Sequence, residues 1–267
     1  MTQEERERLR ATFDEAAELY DRARPGYPPG LFDDLAGLAG IGPGSRVLEI
    51  GPGTGQATVP LAERGCRVVA VELGADLAAV ARRNLARFPA VEVVTAAFED
   101  WPLPSEPFDL VLAATSFHWL DPAVRVVKAA DALRPGGTLA TVATHHVAGG
   151  DVSFFAEAQA CYVRWDPATP PDGAPLRAAA DIPSSSDELD RSHRFGPVTF
   201  RRYEWDLPYT TAGYLEVLLT YSGHRALDPT AKAGLLDCIA NLIDSGYGGR
   251  ITKRYLTELR VASTPER

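Results

Sequence analysis

The chain is poor in the residues that would tie it to a metal, a membrane or a polyanion. Its three cysteines, Cys66, Cys161 and Cys238, stand far apart and make no metal-ligand spacing. They are expected to be reduced thiols, buried as small core residues, and no metal site is expected. No run approaches the ~20 apolar residues of a membrane-spanning helix. The opening Met-Thr-Gln-Glu-Glu-Arg-Glu-Arg lacks the apolar centre of a signal peptide, so a cytoplasmic location is expected. Lysine is nearly missing, at Lys128, Lys232 and Lys253 alone. The net charge of -9 over 267 residues argues against nucleic acid or an anionic membrane as the main partner. What remains is ordinary: 45% hydrophobic and 24% charged residues, enough for a full core in one large domain.

Between residues 41 and 146, short apolar runs alternate with helical patterns. Strands are expected at 46–50, 67–73, 91–95, 108–114 and 138–144, and helices at 56–64, 75–88 and 122–133. Near-continuous apolar strands separated by helices predict a parallel sheet covered on both faces. Residues 2–22 carry a helical pattern through Leu9, Phe13, Ala16, Ala17 and Tyr20. Arg24-Pro25-Gly26-Tyr27-Pro28-Pro29 breaks it, and a short helix follows up to Gly40. After His146 a helix is expected at 148–165, a loop at 166–187, a strand at 198–207, helices at 214–220 and 230–244, and a final strand at 251–261. The chain thus divides into an N-terminal helical cap segment (1–40), a ligand-binding core (41–146), and a remainder (147–267) that adds cap insertions and the last two strands of the same sheet.

Four segments carry the chemistry. Val47-Leu-Glu-Ile-Gly-Pro-Gly-Thr-Gly55 is a strand, an acid and a loop with glycine at every second position. Such glycines admit positive φ and close approach of a ligand to the backbone. The spacing departs from the dinucleotide fingerprint, because Gln56 stands where the third glycine belongs. Pro52 lacks an amide donor, and Glu49 adds an anion where no basic residue offsets it. Pyrophosphate would be poorly served, whereas a ligand with an ammonium and a sulfonium would be suited. Glu72, about twenty residues further on, is placed to accept from both hydroxyls of a ribose. In Thr95-Ala-Ala-Phe-Glu-Asp-Trp101 the Phe98 N–H could meet adenine N1, Glu99 or Asp100 could accept from N6, and Leu73 and Trp101 could enclose the ring. A helix start with acids near its positive end explains that segment equally well. Ala113-Ala-Thr-Ser-Phe-His-Trp-Leu-Asp121 sets Ser116, His118 and Trp119 on the lip of the sheet, where aromatic packing around a satisfied histidine is the plainer alternative.

Over about residues 45–145 these segments resemble the class I S-adenosylmethionine (SAM)-dependent methyltransferases. With Phe13-Asp14 through Tyr20-Asp21, Arg24-Pro25-Gly26-Tyr27-Pro28 and Ser116-Phe-His-Trp119, the chain is similar to the small-molecule branch that includes trans-aconitate methyltransferase-like proteins. The resemblance implies an α/β, Rossmann-like fold with a seven-stranded, mostly parallel sheet, an antiparallel last strand and a helical cap. It implies SAM as the cofactor. Glu49 and the backbone of Gly51 and Gly53 would hold the methionine ammonium. Glu72 would hold the ribose, Leu73 would lie against adenine, and Phe98 and Glu99 would read its edge. Thr115 or Ser116 would lie beside the sulfonium. Tyr20, Arg24 and Tyr27 would close over the methionine end, with Arg24 facing its carboxylate. One departure is Ala97, where many relatives carry Asp.

The expected reaction is methyl transfer to a small-molecule acceptor, at a carboxylate or hydroxyl oxygen. A carboxylate needs no base; a hydroxyl would use His118, with His145 and His146 behind it. Trp119, His145, His146 and Tyr221 are the expected acceptor contacts. Two alternatives keep the ligand: cyclisation or cleavage of SAM itself, and SAM binding without turnover. A dehydrogenase is disfavoured by the glycine spacing. A homodimer is compatible with the sequence, which leaves the oligomeric state open.

Overall fold

The computed structural model describes residues 13–266. Leu9 and the first part of the expected N-terminal helix lie outside them. The described part is a 3-10 turn at Asp14–Ala16 and helix α1 (Ala17–Ala23), followed by α2 (Leu31–Ala39). Leu31, Phe32 and Leu35 give α2 its buried face, and Gly40, at φ 62, ends it in the left-handed conformation that glycine adopts without a Cβ clash.

The core alternates as expected: β1 (Arg46–Ile50), α3 (Thr58–Glu63), β2 (Arg67–Glu72), α4 (Ala75–Leu85), β3 (Val91–Thr95), β4 (Phe108–Ala114), α5 (Arg125–Ala132) and β5 (Leu133–Gly150). Next come α6 (Val152–Glu157), α7 (Gln159–Trp165), α8 (Asp187–Ser192) and β6 (Thr199–Thr210). Helices α9 (Thr211–Leu218), α10 (Ser222–Arg225) and α11 (Pro229–Gly246) precede β7 (Arg250–Ser263). The seven strands form one sheet in the order β3-β2-β1-β4-β5-β7-β6. β1 pairs in parallel with both β2 and β4, while β7 is antiparallel to its two neighbours.

Alternate residues of each strand serve opposite faces. Val47, Leu110, Leu112 and Ala140 pack with α2 and α3 through Leu31, Leu35 and Leu61. Leu48, Ile50, Val111 and Leu139 pack with α5 through Val126 and Ala129. Each such Val, Leu or Ile side chain stabilises the fold by about 1.5–3 kcal/mol on burial. The third large cluster lies in the cap, where Phe154, Tyr214, Ile239 and Ile243 meet.

Three expectations need correction. β5 extends beyond 138–144 at both ends and takes in 145–150, where a helix was expected to begin at 148. The reason is pairing with β7: His145 faces Leu256, His146 faces Tyr255 and Gly150 faces Lys253, so a two-stranded ribbon projects past the sheet. Residues 166–187 are largely irregular, as expected, but Asp187 opens the unforeseen short helix α8. Finally, Cys161 and Cys238 form a disulfide across α7 and α11, leaving Cys66 as the one free, buried cysteine among the described residues. Their separation of 77 residues hides the pairing in the sequence. No helix of the described residues is long and apolar enough to cross a membrane.

Candidate active site

The strand order reverses between β1 and β4, which is where an open α/β sheet places its ligand. A cavity of about 250 Å³ lies there. Its rim is the loop after β1, with Gly51, Gly53 and Gly55 at φ 67, 60 and 95. A Cβ on Gly51 would come within 2.7 Å of Ser116 Cβ. Only glycine lets the two loops approach this closely. Ser116 Oγ donates to the Ile50 carbonyl, and Thr115 N–H donates to Val142 O at 2.8 Å. Thr115 is itself strained at φ 57, as residues at ligand sites often are.

Glu72 stands on the cavity wall. Its two oxygens accept from the Gly53 and Gly74 N–H groups, at 2.9 Å each, and this holds the carboxylate in place. Glu49 is different. It is fully buried beneath the glycine loop, off the cavity wall, and neither oxygen has a hydrogen-bond partner among the described residues. The neighbouring Thr54 and Thr58 hydroxyls are likewise unpaired. Burial pushes the Glu49 carboxyl up to about 7; the Thr58 hydroxyl opposes the rise without completing a bond, and Glu72 adds to it. A buried anion with no counter-charge is costly, so a cation brought to the loop would relieve it. The ammonium of SAM has that chemistry. No basic side chain in the loop competes for it.

The other wall comes from the N-terminal segment. Arg24 lies with its guanidinium 5.4 Å from the Tyr20 ring centroid and 4.8 Å from that of Tyr221. Its Nη1 donates to Thr220 O and Oγ1 at 3.4 Å each, and no carboxylate pairs with it among the described residues. Gln56 Nε2 donates to Arg24 O at 3.2 Å. Tyr27 donates to Ala114 O at 3.4 Å, and burial raises its pKa far enough to keep the phenol neutral. Asp14 Oδ1 accepts from the Asp76 and Leu77 N–H groups at 2.8 and 2.9 Å, which caps α4. Leu73, 40% exposed, and Phe98 both line the cavity. Glu99 and Trp101 do not: Glu99 Oε1 accepts from Asp121 N–H at 3.2 Å, and Trp101 packs into the core.

A second cavity, of about 380 Å³, adjoins the first and shares Tyr20, Arg24, Tyr27, Thr115 and Trp119 with it. His118, His145, His146, Tyr221 and Tyr255 complete its wall. Burial, then the charges of Arg125 and Arg24, lower the His118 imidazole to about 4. His118 is nonetheless exposed to solvent on that wall, which weakens its desolvation. With its pKa lowered, the ring is neutral at pH 7 and able to accept a proton. Adjacent strand residues point to opposite faces. His146 stacks near Tyr221 and Tyr255, at 4.9 and 5.6 Å, whereas the neighbours acting on His145 are Glu258 and Arg202. Both histidines nevertheless line the second cavity.

Phe13, Asp14, Gln56, Gly74 and Tyr255 were given no site role in the sequence, yet all five line these cavities. Tyr255 reads as one apolar residue of a strand, and only the ribbon brings it to His146.

Residues 48–141 match the family described as a methyltransferase domain. With the strand order above, that match supports a SAM-dependent methyltransferase core, and two solved bacterial proteins at 16% and 19% identity share the fold. An uncharacterized methyltransferase of Mycobacterium bovis is 40% identical over 131 residues, covering 49% of this chain and 51% of its own. The chain spans about half the length of the curated mycobacterial relatives it matches. Among solved structures, a candidate type II methyltransferase from Anaeromyxobacter dehalogenans is 25% identical, with a TM-score of 0.57 and coverage of 91% of this chain and 97% of that one. Phosphoethanolamine N-methyltransferase 2 of Haemonchus contortus, solved with S-adenosylhomocysteine, shares the fold at 18% identity and a TM-score of 0.53, covering 94% of this chain and 57% of that one.

Proposed function

We propose that the chain transfers a methyl group from SAM to an oxygen of a small-molecule acceptor. The observation that carries this reading is the pair of adjoining cavities that share Tyr20, Arg24, Tyr27, Thr115 and Trp119. SAM supplies a methyl group already activated on a sulfonium, so the protein's task is alignment across that wall. Glu72 would take the ribose, Leu73 and Phe98 the adenine, Glu49 the ammonium through the loop, and Arg24 the methionine carboxylate. Thr115 and Ser116 fix the bend that faces the shared wall. His118, neutral at pH 7, accepts the proton of a hydroxyl acceptor and only packs against a carboxylate one. Trp119, His146 and Tyr221 form the acceptor side.

The test is incubation with SAM and a pool of hydroxy and carboxylic acids, followed by mass spectrometry. S-adenosylhomocysteine together with a methylated acid is expected. Methylthioadenosine in its place would favour the reading in which SAM itself is the substrate. Tight SAM binding with no product would favour a binding module.

A further inference from the structure

Lys253 is only 3% exposed, on β7 within the ribbon. Its ammonium lies 4.4 Å from the Phe155 ring centroid and 5.6 Å from that of Tyr255. No carboxylate pairs with it among the described residues, and burial is the sole influence on its pKa, lowering it to about 8. No acid is therefore close enough to support the charge. Contact with aromatic faces offsets only part of the cost of taking an ammonium out of water. Among the described residues no carboxylate serves as its counter-ion.

Lys253 does not itself line the second cavity, but its neighbours Tyr255 and His146 do. Lys253 is among the charges that lower His146, whose ring lies against Tyr221 and Tyr255 on the cavity wall. Tyr255 Oη stands 3.0 Å from Tyr209 Oη and 3.4 Å from Tyr221 Oη, so the ring nearest this side of the ammonium carries a row of hydroxyls. The wall carries Arg24 and three histidines but no Asp or Glu, in a chain of net charge -9. A lysine stem is flexible enough to carry its ammonium to the rim.

We propose that the far end of the acceptor cavity is an anion subsite centred on Lys253, rimmed by Tyr221, Tyr255 and His146, and that the acceptor anchors a carboxylate there, away from the atom that is methylated. This rests on the methyl-transfer reading above. Arg24, on the shared wall, is then left to the methionine carboxylate. Ala114 at the end of β4 pairs with Val142, Val142 pairs with Leu259, and Lys253 lies six residues back along β7. At the rise of an extended strand these backbone positions are about 20 Å apart, a span that the lysine stem and an elongated acceptor would share. A single ammonium with phenolic hydroxyls suits a monoanion better than a phosphate, which favours a guanidinium fork.

The test is calorimetric titration of the S-adenosylhomocysteine-saturated protein with a length series of ω-hydroxycarboxylates, their primary amides and the matching alkyl phosphates. Carboxylates are expected to bind about 10–100-fold more tightly than amides, the effect of one charged hydrogen bond. Lys253→Met should erase that difference and leave SAM affinity unchanged. In the unaltered protein, carboxylate affinity should fall as pH rises through about 8. The facing groups do not titrate there, because His146 and His224 are lowered and Tyr209, Tyr221 and Tyr255 raised. This pH arm decides the matter should Lys253→Met fail to fold. Equal binding of carboxylates and amides, preference for phosphates, no binding of any carboxylate, or undiminished carboxylate binding by Lys253→Met each overturns the subsite. Methylation of a neutral acceptor alone would sink the subsite and leave the methyl-transfer reading intact. Lys253-dependent carboxylate binding without any methylated product would do the reverse.

Discussion

Glu49 shows how a single residue can hold the fold and the ligand in opposition. Its folded pKa, about 7, lies above the usual carboxylate value. The stability it allows is therefore fully present at acid pH and is lost as pH rises from about 4.5 through 7. Glu49→Gln removes the charge and keeps the shape. The variant is expected to raise the melting temperature of the free protein at pH 8, by on the order of 3 kcal/mol in stability, while weakening SAM binding. Thermal unfolding at pH 5 and pH 8 checks the first part, since the gain should vanish at pH 5. Much of the residue-scale chemistry was legible: the loop glycines and Glu72 announce themselves by spacing from an apolar strand. Gln56, Tyr255 and Lys253 did not, because their roles arise from partners far away in sequence.

Among elements, the core strands could be read closely because burial on both faces makes them continuously apolar; β1 was expected at residues 46–50 and lies at Arg46–Ile50. The end of β5 could not. Thr144-His-His-Val-Ala-Gly-Gly150 is poor strand material on its own and is held extended by β7. The same limit hid the Cys161–Cys238 bond, which joins two helices that only the cap brings together. Cys238→Ser is expected to lower stability by about 2–4 kcal/mol through the freed unfolded chain. Thermal unfolding with and without reductant checks it: reductant should destabilise the parent and leave the variant unmoved. An unaltered melting temperature in both would mean that the bond contributes nothing.

At the scale of the whole molecule, the two cavities are joined by Arg24, whose neighbours come from α1, from the tail of α9 and from Tyr221. Arg24→Met should weaken SAM binding by about 10–100-fold, as loss of a charge-assisted hydrogen bond does. It should also raise the KM for the acceptor, because the wall between the cavities loses its shape. Titration calorimetry and initial rates measure the two effects separately. A change in one alone would show that the cavities are independent. The two-cavity plan itself was not visible in the sequence, since the segments that build it are spread from Phe13 to Tyr255.

The bond between Asp14 and the first turn of α4 has a consequence in time. Phe13 and Asp14 stand on the wall of the first cavity, and Asp14 is fastened by two backbone amides at 2.8 and 2.9 Å. A molecule lodged behind them is expected to leave more slowly while that fastening holds. On the methyl-transfer reading, the spent donor is then expected to limit every turnover after the first. Rapid-quench kinetics should show a burst of methylated product followed by a slower steady rate. Asp14→Ala should flatten the burst by quickening release, and a linear time course in the parent protein would refute this clock.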